Sequence, residues 1–69
     1  MKLYTVVWND YEAGIEVFNF LNKNIAIDFA INAVVTTYEE DCEYKEDEWH
    51  IFNASIKDRF EMFIVENET

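Results

Sequence analysis

Between positions 39 and 50 the chain reads EEDCEYKEDEWH, and the residue types that carry chemistry crowd together there. Seven carboxylates, one thiol and one imidazole are answered by a single cation, Lys45. Three kinds of chemistry are open to such a stretch. Cys42 and His50 invite nucleophilic catalysis, the same pair with flanking carboxylates invites a metal ion, and Glu39, Glu40, Asp41, Glu43, Glu46, Asp47 and Glu48 invite attachment to a cationic surface.

Catalysis fits poorly. A nucleophile needs a base within reach and usually an oxyanion pocket of backbone amides. Ser55 and Cys42 are the candidate nucleophiles and His50 is the only histidine. Glu39, Glu40, Asp41 and Glu43 surround Cys42, and their charge resists formation of the thiolate. Gly14 is the only glycine, so no glycine-rich phosphate loop or nucleophile elbow can be built. Carboxylate pairs arise by chance among fifteen acids, and a fold this small encloses little volume for a substrate. The expectation is a protein that is not an enzyme and uses no cofactor. Structural zinc takes a cluster of cysteine and histidine at short spacing, and one of each falls short. A calcium loop drawn from Asp41 to Phe52 lacks the glycine at its sixth position and the glutamate at its twelfth. No metal site is expected.

Electrostatic attachment remains. Fifteen acids against five bases give a net charge of -10, which repels phosphate backbones and anionic membranes alike. Tyr4, Trp8, Phe18, Phe20, Trp49 and Phe52 could stack bases only with basic side chains beside them, and Lys2, Lys23, Lys45, Lys57 and Arg59 are scattered. The aromatics therefore read as core, or as core plus a subunit interface. Direct contact with nucleic acid or membrane is not expected, and attraction runs toward basic protein surfaces, commonly those that grip nucleic acid.

A charge run is most often a solvated face, but here seven acids and one base fall within residues 39 to 48. Carboxylates three or four apart on a helix, or two apart on a strand, lie roughly 5 to 7 Å from one another. That spacing is comparable with the phosphates of one DNA strand, which recur per about 3.4 Å of axis rise along a longer backbone path. Glu40, Glu43 and Asp47, or Glu39, Glu43 and Glu46, can form such a row, and Asp28 extends it if the preceding helix runs straight through. Tyr44 and Trp49 are then the buried anchors of the contact, since aromatic residues dominate interface hot spots.

The elements that must position these residues belong to one domain, 1–69. A chain of 69 residues has a small core, and a lone cysteine rules out a disulfide framework, so support must come from dense aromatic packing or self-association. Aromatics make up 17% of the chain, and 51% apolar content argues against disorder. Residues 2–8, KLYTVVW, read as a strand, 9–14 as a turn holding the glycine, and 15–21 as a second strand. Residues 25–38 support two readings. Ile25, Ile27, Phe29 and Ile31 alternate as in a strand, but alternation fails after Asn32. Ile27, Ala30, Ile31, Val34 and Tyr38 also share a helical face opposite Asp28, Asn32 and Thr36. Three alanines and an asparagine cap at 22 or 24 favour the helix, which is expected to continue a turn or two into the acidic block before fraying. Residues 49–56 and 60–66 read as a second hairpin joined by 57–59, and the tail Asn67–Thr69 as loose. The resulting fold is α+β, ββαββ, with an antiparallel sheet packed against one helix.

The apolar-leaning stretch before Asn9 and Asp10 is too short for the apolar region of a secretory leader and no stretch approaches a membrane span, so a reduced, cytoplasmic setting is expected. Small size, strong acidity, high aromatic content and a hairpin followed by the asparagine-capped LNKNIAIDFA give a chain that resembles the small acidic accessory proteins of bacteriophages. Several of those block host or defence proteins, some as DNA mimics. The resemblance is of type and spans the whole chain. It implies a noncatalytic inhibitor that occupies a basic surface of a nucleic-acid-handling protein in the bacterial host cytoplasm. The alternative is a structural homo-oligomer, such as a homodimer through the apolar helix and final strand, or an antitoxin-like regulator, with the acids serving only solubility.

Overall fold

The computed structural model describes residues 1 to 69. Strand β1 (Lys2–Asp10) and strand β2 (Gly14–Phe20) pair antiparallel, as the β-branched and aromatic run leads one to expect. Their turn is held by Asp10, whose Oδ1 accepts the amides of Glu12 and Ala13 at 2.9 Å each. Gly14 closes it at φ 104, a backbone region that side chains rarely adopt.

Helix α1 (Lys23–Tyr38) begins where Asn22 Oδ1 accepts the amides of Asn24 and Ile25, at 2.8 and 3.2 Å. Those amides have no partner within the helix, so the asparagine carries the cap. Asn22→Ala is expected to lower stability by about 1 kcal/mol, read as a shift in the midpoint of urea unfolding. The ambiguous segment is therefore helix. Its buried line is Ala26, Ala30, Val34 and Tyr38, four residues apart, while Asp28, Asn32 and Thr36 face solvent.

Several expectations are corrected beyond this point. The helix does not run into the acidic block: Glu39 turns left-handed at φ 57, and its amide caps the carbonyl of Val35. Three successive acids after Tyr38 oppose the helix dipole, so the chain leaves the helix as soon as apolar residues run out. The block itself contains an unforeseen strand, β3 (Glu43–Lys45), paired with β4 (His50–Phe52). Strand 49–56 is thus shortened to three residues, and Asn53–Arg59 becomes a turn-rich connection in which Ile56 N bonds Asn53 O and Arg59 N bonds Ile56 O. The order is ββαβββ. Strand β5 (Phe60–Glu68) also absorbs most of the tail expected to be loose, because Lys2 pairs with Glu68 and Thr69 N bonds Met1 O at 2.7 Å.

The five strands form one antiparallel sheet in the order β2-β1-β5-β4-β3, with the first and last long strands adjacent at its middle. Alternation along paired strands places Val6, Ile64, Met62, Phe60 and Ile51 on the side facing α1. There they meet the helix's buried line in a single core. Alanines at two of the four helix positions let the backbone approach the sheet closely. Fully burying side chains such as Ile51, Met62, Val6 and Val34 contributes roughly 1.5 to 3 kcal/mol each. Phe29 packs between Phe18 and Phe20, with ring centroids at 4.7 and 5.1 Å, so the aromatic supply extends the core over β2. The other side of the sheet has no layer over it. It carries Leu3, Val7, Ile15, Val17, Phe63 and Val65 outward.

Candidate functional site

The acidic residues sit at the β3–β4 end of the sheet, distributed over four local settings. Glu39 is the helix cap, Glu40 and Asp41 lie in the link to β3, Glu43 stands on β3, and Glu46, Asp47 and Glu48 form the tip of the hairpin. All seven carboxylates are exposed. The helical rows anticipated from residue spacing do not form, since α1 stops at Tyr38, and Asp28 stays on the solvent side of the helix.

The hairpin is tied to the body through its interior-facing side chains. Tyr44 lies opposite Ile51, which lies opposite Met62, so one inward row crosses β3, β4 and β5. Glu48 N bonds Lys45 O at 3.1 Å to close the tip. Trp49 follows with φ 53, a left-handed backbone costing about 1 kcal/mol for a non-glycine residue. Packing holds it there: its ring stacks on Tyr4 with centroids 6.3 Å apart, Lys23 Nζ lies 3.9 Å from its centroid, and Ile64 N bonds its carbonyl at 2.9 Å. Asn53 Nδ2 donates to the carbonyl of Asp41, binding the incoming link to the outgoing strand.

Two of the seven acids meet a lysine of the same chain. Lys23 Nζ lies 3.1 Å from Glu46 Oε1 and Lys45 Nζ 3.6 Å from Glu43 Oε1. Glu39, Glu40, Asp41, Asp47 and Glu48 form no such pair, so their field is directed outward. Lys45, Glu46, Asp47 and Glu48 line an open depression of about 410 Å³ at the tip. Every side chain around it is charged. The hydrogen bond to Glu46 raises the pKa of Lys23 above its ordinary value, but Glu46 is largely exposed and the pair adds little stability.

Tyr44 and Trp49, expected as anchors for a partner, are half-buried and packed on their own chain. The Tyr44 hydroxyl is buried without a hydrogen-bond partner in the chain, and burial pushes its pKa up, with Lys23 nearby acting in the opposite sense. Cys42 is likewise half-buried. Burial, then the charge of Asp41, pushes its thiol up from the usual range and disfavours the thiolate. His50 projects from the opposite side of the sheet to Tyr44, next to Phe52 at 5.9 Å. No three histidine, cysteine, aspartate or glutamate side chains converge tightly enough to hold a metal ion.

A second polar constellation, which local sequence pattern does not reveal, lies at the C-terminal end of the helix. Trp8 Nε1 donates to Tyr38 Oη at 3.0 Å, and Tyr38 Oη donates to Asp10 Oδ2 at 2.7 Å. Arg59 sits 5.0 Å from the Tyr38 ring, and Tyr38 stacks on Phe60 with centroids 4.7 Å apart. These groups lock helix, sheet and first turn together. They are too widely separated in sequence for local pattern to have found them.

No helix is long and apolar enough to cross a membrane. Comparison with protein-family models, with curated proteins and with solved structures finds no match to this chain.

Proposed function

We propose that this protein is a noncatalytic binding module that uses its β3–β4 end to occupy a basic surface on a nucleic-acid-handling protein, as an inhibitor of the bacteriophage DNA-mimic type. The observation that carries the reading is the run of seven carboxylates from Glu39 to Glu48, all exposed and four of them on the β3–β4 hairpin, with five of the seven free of any lysine in the chain. A cationic partner gains from such a patch in two ways. Long-range attraction raises the encounter rate, and lysine or arginine side chains find acceptors already in place. The charged depression at the hairpin tip has the character of a socket for an inserted cationic side chain rather than an apolar pocket for a small molecule. Tyr44 and Trp49 act in this proposal by fixing the hairpin's shape, which limits the ordering entropy lost on binding.

The test is capture of partners from bacterial lysate at low and moderate salt, with the wild-type chain beside the variant Glu40→Lys, Asp47→Lys, Glu48→Lys. All three positions are exposed and outside the core, so the variant is expected to melt within a few degrees of wild type. The wild type is expected to retain a basic protein whose capture fades with salt, and the variant to lose at least about tenfold in affinity for it. Equal capture by both proteins refutes the proposal.

A further inference from the structure

We infer that the uncovered face of the sheet is a self-association surface, and that two copies of the chain pack sheet on sheet through it. This inference is independent of the acidic end. It starts from three features of the face.

The first is charge. Twenty of the 69 residues are charged, yet the middle of this face, carried by β2, β1 and β5, holds none of them. Among outward strand positions only Glu61, Glu43 and Lys45 are charged, and all three lie at its margins. Of the six outward apolar residues, Ile15, Val17 and Val65 are exposed, at 67%, 57% and 37%, and Leu3, Val7 and Phe63 are half-buried. A solvated face in so acidic a chain would be expected to take its share of carboxylates.

The second is how the face treats its polar residues. Asn67 Nδ2 donates to Thr5 Oγ1 at 3.0 Å, and Thr5 Oγ1 donates to Asn19 Oδ1 at 2.6 Å. This ladder runs across β5, β1 and β2. The polar groups in the middle of the patch thus already satisfy part of their hydrogen bonding within the sheet, which reduces the desolvation penalty of covering them.

The third is area. With strands about 4.8 Å apart and about 3.3 Å per residue, three long and two short strands present roughly 500 Å² in plan. Two copies then bury roughly 1,000 Å², the level at which a specific interface becomes credible, and interdigitating valines and isoleucines add to it. A second copy is the occupant favoured by the chain's own needs. Only ten of its residues are buried, no disulfide is available, and small domains of this kind commonly gain stability by association. A two-fold arrangement presents the same patch on both sides, so a neutral face meets a neutral face. The remaining repulsion between two chains of -10 is least with the acidic hairpins at opposite ends of the pair.

Sedimentation equilibrium between about 1 µM and about 1 mM protein, at about 0.05 M and about 0.5 M salt, decides the matter. Wild-type mass is expected to rise from 8.3 kDa toward double, and to rise at lower concentration in the higher salt. That salt dependence is opposite in sign to capture of a basic partner. Val17→Lys, on the outermost strand, is expected to remain monomeric with an unchanged circular dichroism spectrum, although it lowers the net negative charge. Val65→Lys on a central strand provides a second disruption, and Asn32→Lys on the solvent side of the helix should dimerise like the wild type. The triple lysine variant at Glu40, Asp47 and Glu48 should dimerise at least as well while losing its partner, which separates the two proposals. A wild-type mass that stays monomeric throughout leaves the face to solvent or to a different protein and overturns the inference. Undiminished dimerisation of a folded Val17→Lys or Val65→Lys chain overturns it equally.

Discussion

Ile51→Ala is expected to lower stability by about 2 to 5 kcal/mol, the usual range for cutting a buried isoleucine to alanine. Ile51 is 1% exposed, opposite Met62 on one side and Tyr44 on the other. Global stability for a chain of this length, at about 0.05 to 0.15 kcal/mol per residue, comes to roughly 3 to 10 kcal/mol. One substitution therefore removes a large share of the total. The loss is also directional. Strand β4 is held to β5 by only two register pairs, His50 with Phe63 and Ile51 with Met62. Weakening the second is expected to free the acidic hairpin before the β1–β2–β5 part of the sheet opens. Urea unfolding measures the first effect, and amide exchange at Tyr44 and Lys45 compared with Val6 and Ile64 measures the second. A loss below about 1 kcal/mol, or uniform acceleration of exchange, contradicts this account of how the hairpin is held.

The second large effect is at Tyr38. Tyr38→Phe removes the acceptor for Trp8 Nε1–H and the donor to Asp10 Oδ2 while keeping the ring stacked on Phe60. Leaving a partly buried indole donor unpaired costs about 1 to 3 kcal/mol. The pH dependence identifies the cause. Burial, then the hydrogen bond to Asp10, pushes the Tyr38 phenol from 10.0 up to about 12. Its neutral form is the one the fold favours, so this contribution is complete below pH 10 and is lost as pH rises from 10 toward 12. At the acid end the Tyr38 hydrogen bond, then the amides of Ala13 and Glu12, hold the Asp10 carboxyl below 3.8. That contribution is present above 3.8 and is lost as pH falls through the lower folded value. In Tyr38→Phe the alkaline loss from this site should vanish and the acid loss shrink, with denaturant midpoints near pH 3, 7 and 11 as the readout. Parallel profiles for wild type and variant would rule out the Trp8–Tyr38–Asp10 chain as their source.

Local pattern made the first half of the molecule readable. Lys2–Asp10 and Gly14–Phe20 are rich in strand-forming residues with a turn between them, and Asn22 sits where a helix needs an acceptor. The α+β class followed from these elements. The helix itself is legible in the shared face of Ile27, Ala30, Ile31, Val34 and Tyr38, but its fully buried line is Ala26, Ala30, Val34 and Tyr38, with Ile27 and Ile31 half-buried beside it. Strand β3 was hidden because a three-residue strand with one inward side chain, Tyr44, has no period to detect. The run 49–56 looks like one strand by composition, but Asn53 Oδ1 accepts Ser55 N at 2.7 Å and starts a turn that ends β4 at Phe52. The acids of the candidate site were evident from composition, but their arrangement was not. It depends on Glu39 ending the helix and on Trp49 holding a left-handed turn, the latter fixed by the distant Tyr4 and Lys23. The pairing of Lys2 with Glu68 has the same character, being set by register across nearly the whole chain.

That pairing constrains how the protein is made. With β1 bound along its length to β5, the middle of the sheet joins a strand made before α1 to one made after it. Before residues 60 to 68 emerge, β1 has only β2 beside it, and α1 has no finished surface to settle on. Productive folding must therefore wait until translation has delivered β5, leaving the nascent chain's valines and phenylalanines open to chaperones or to premature clumping in the interval.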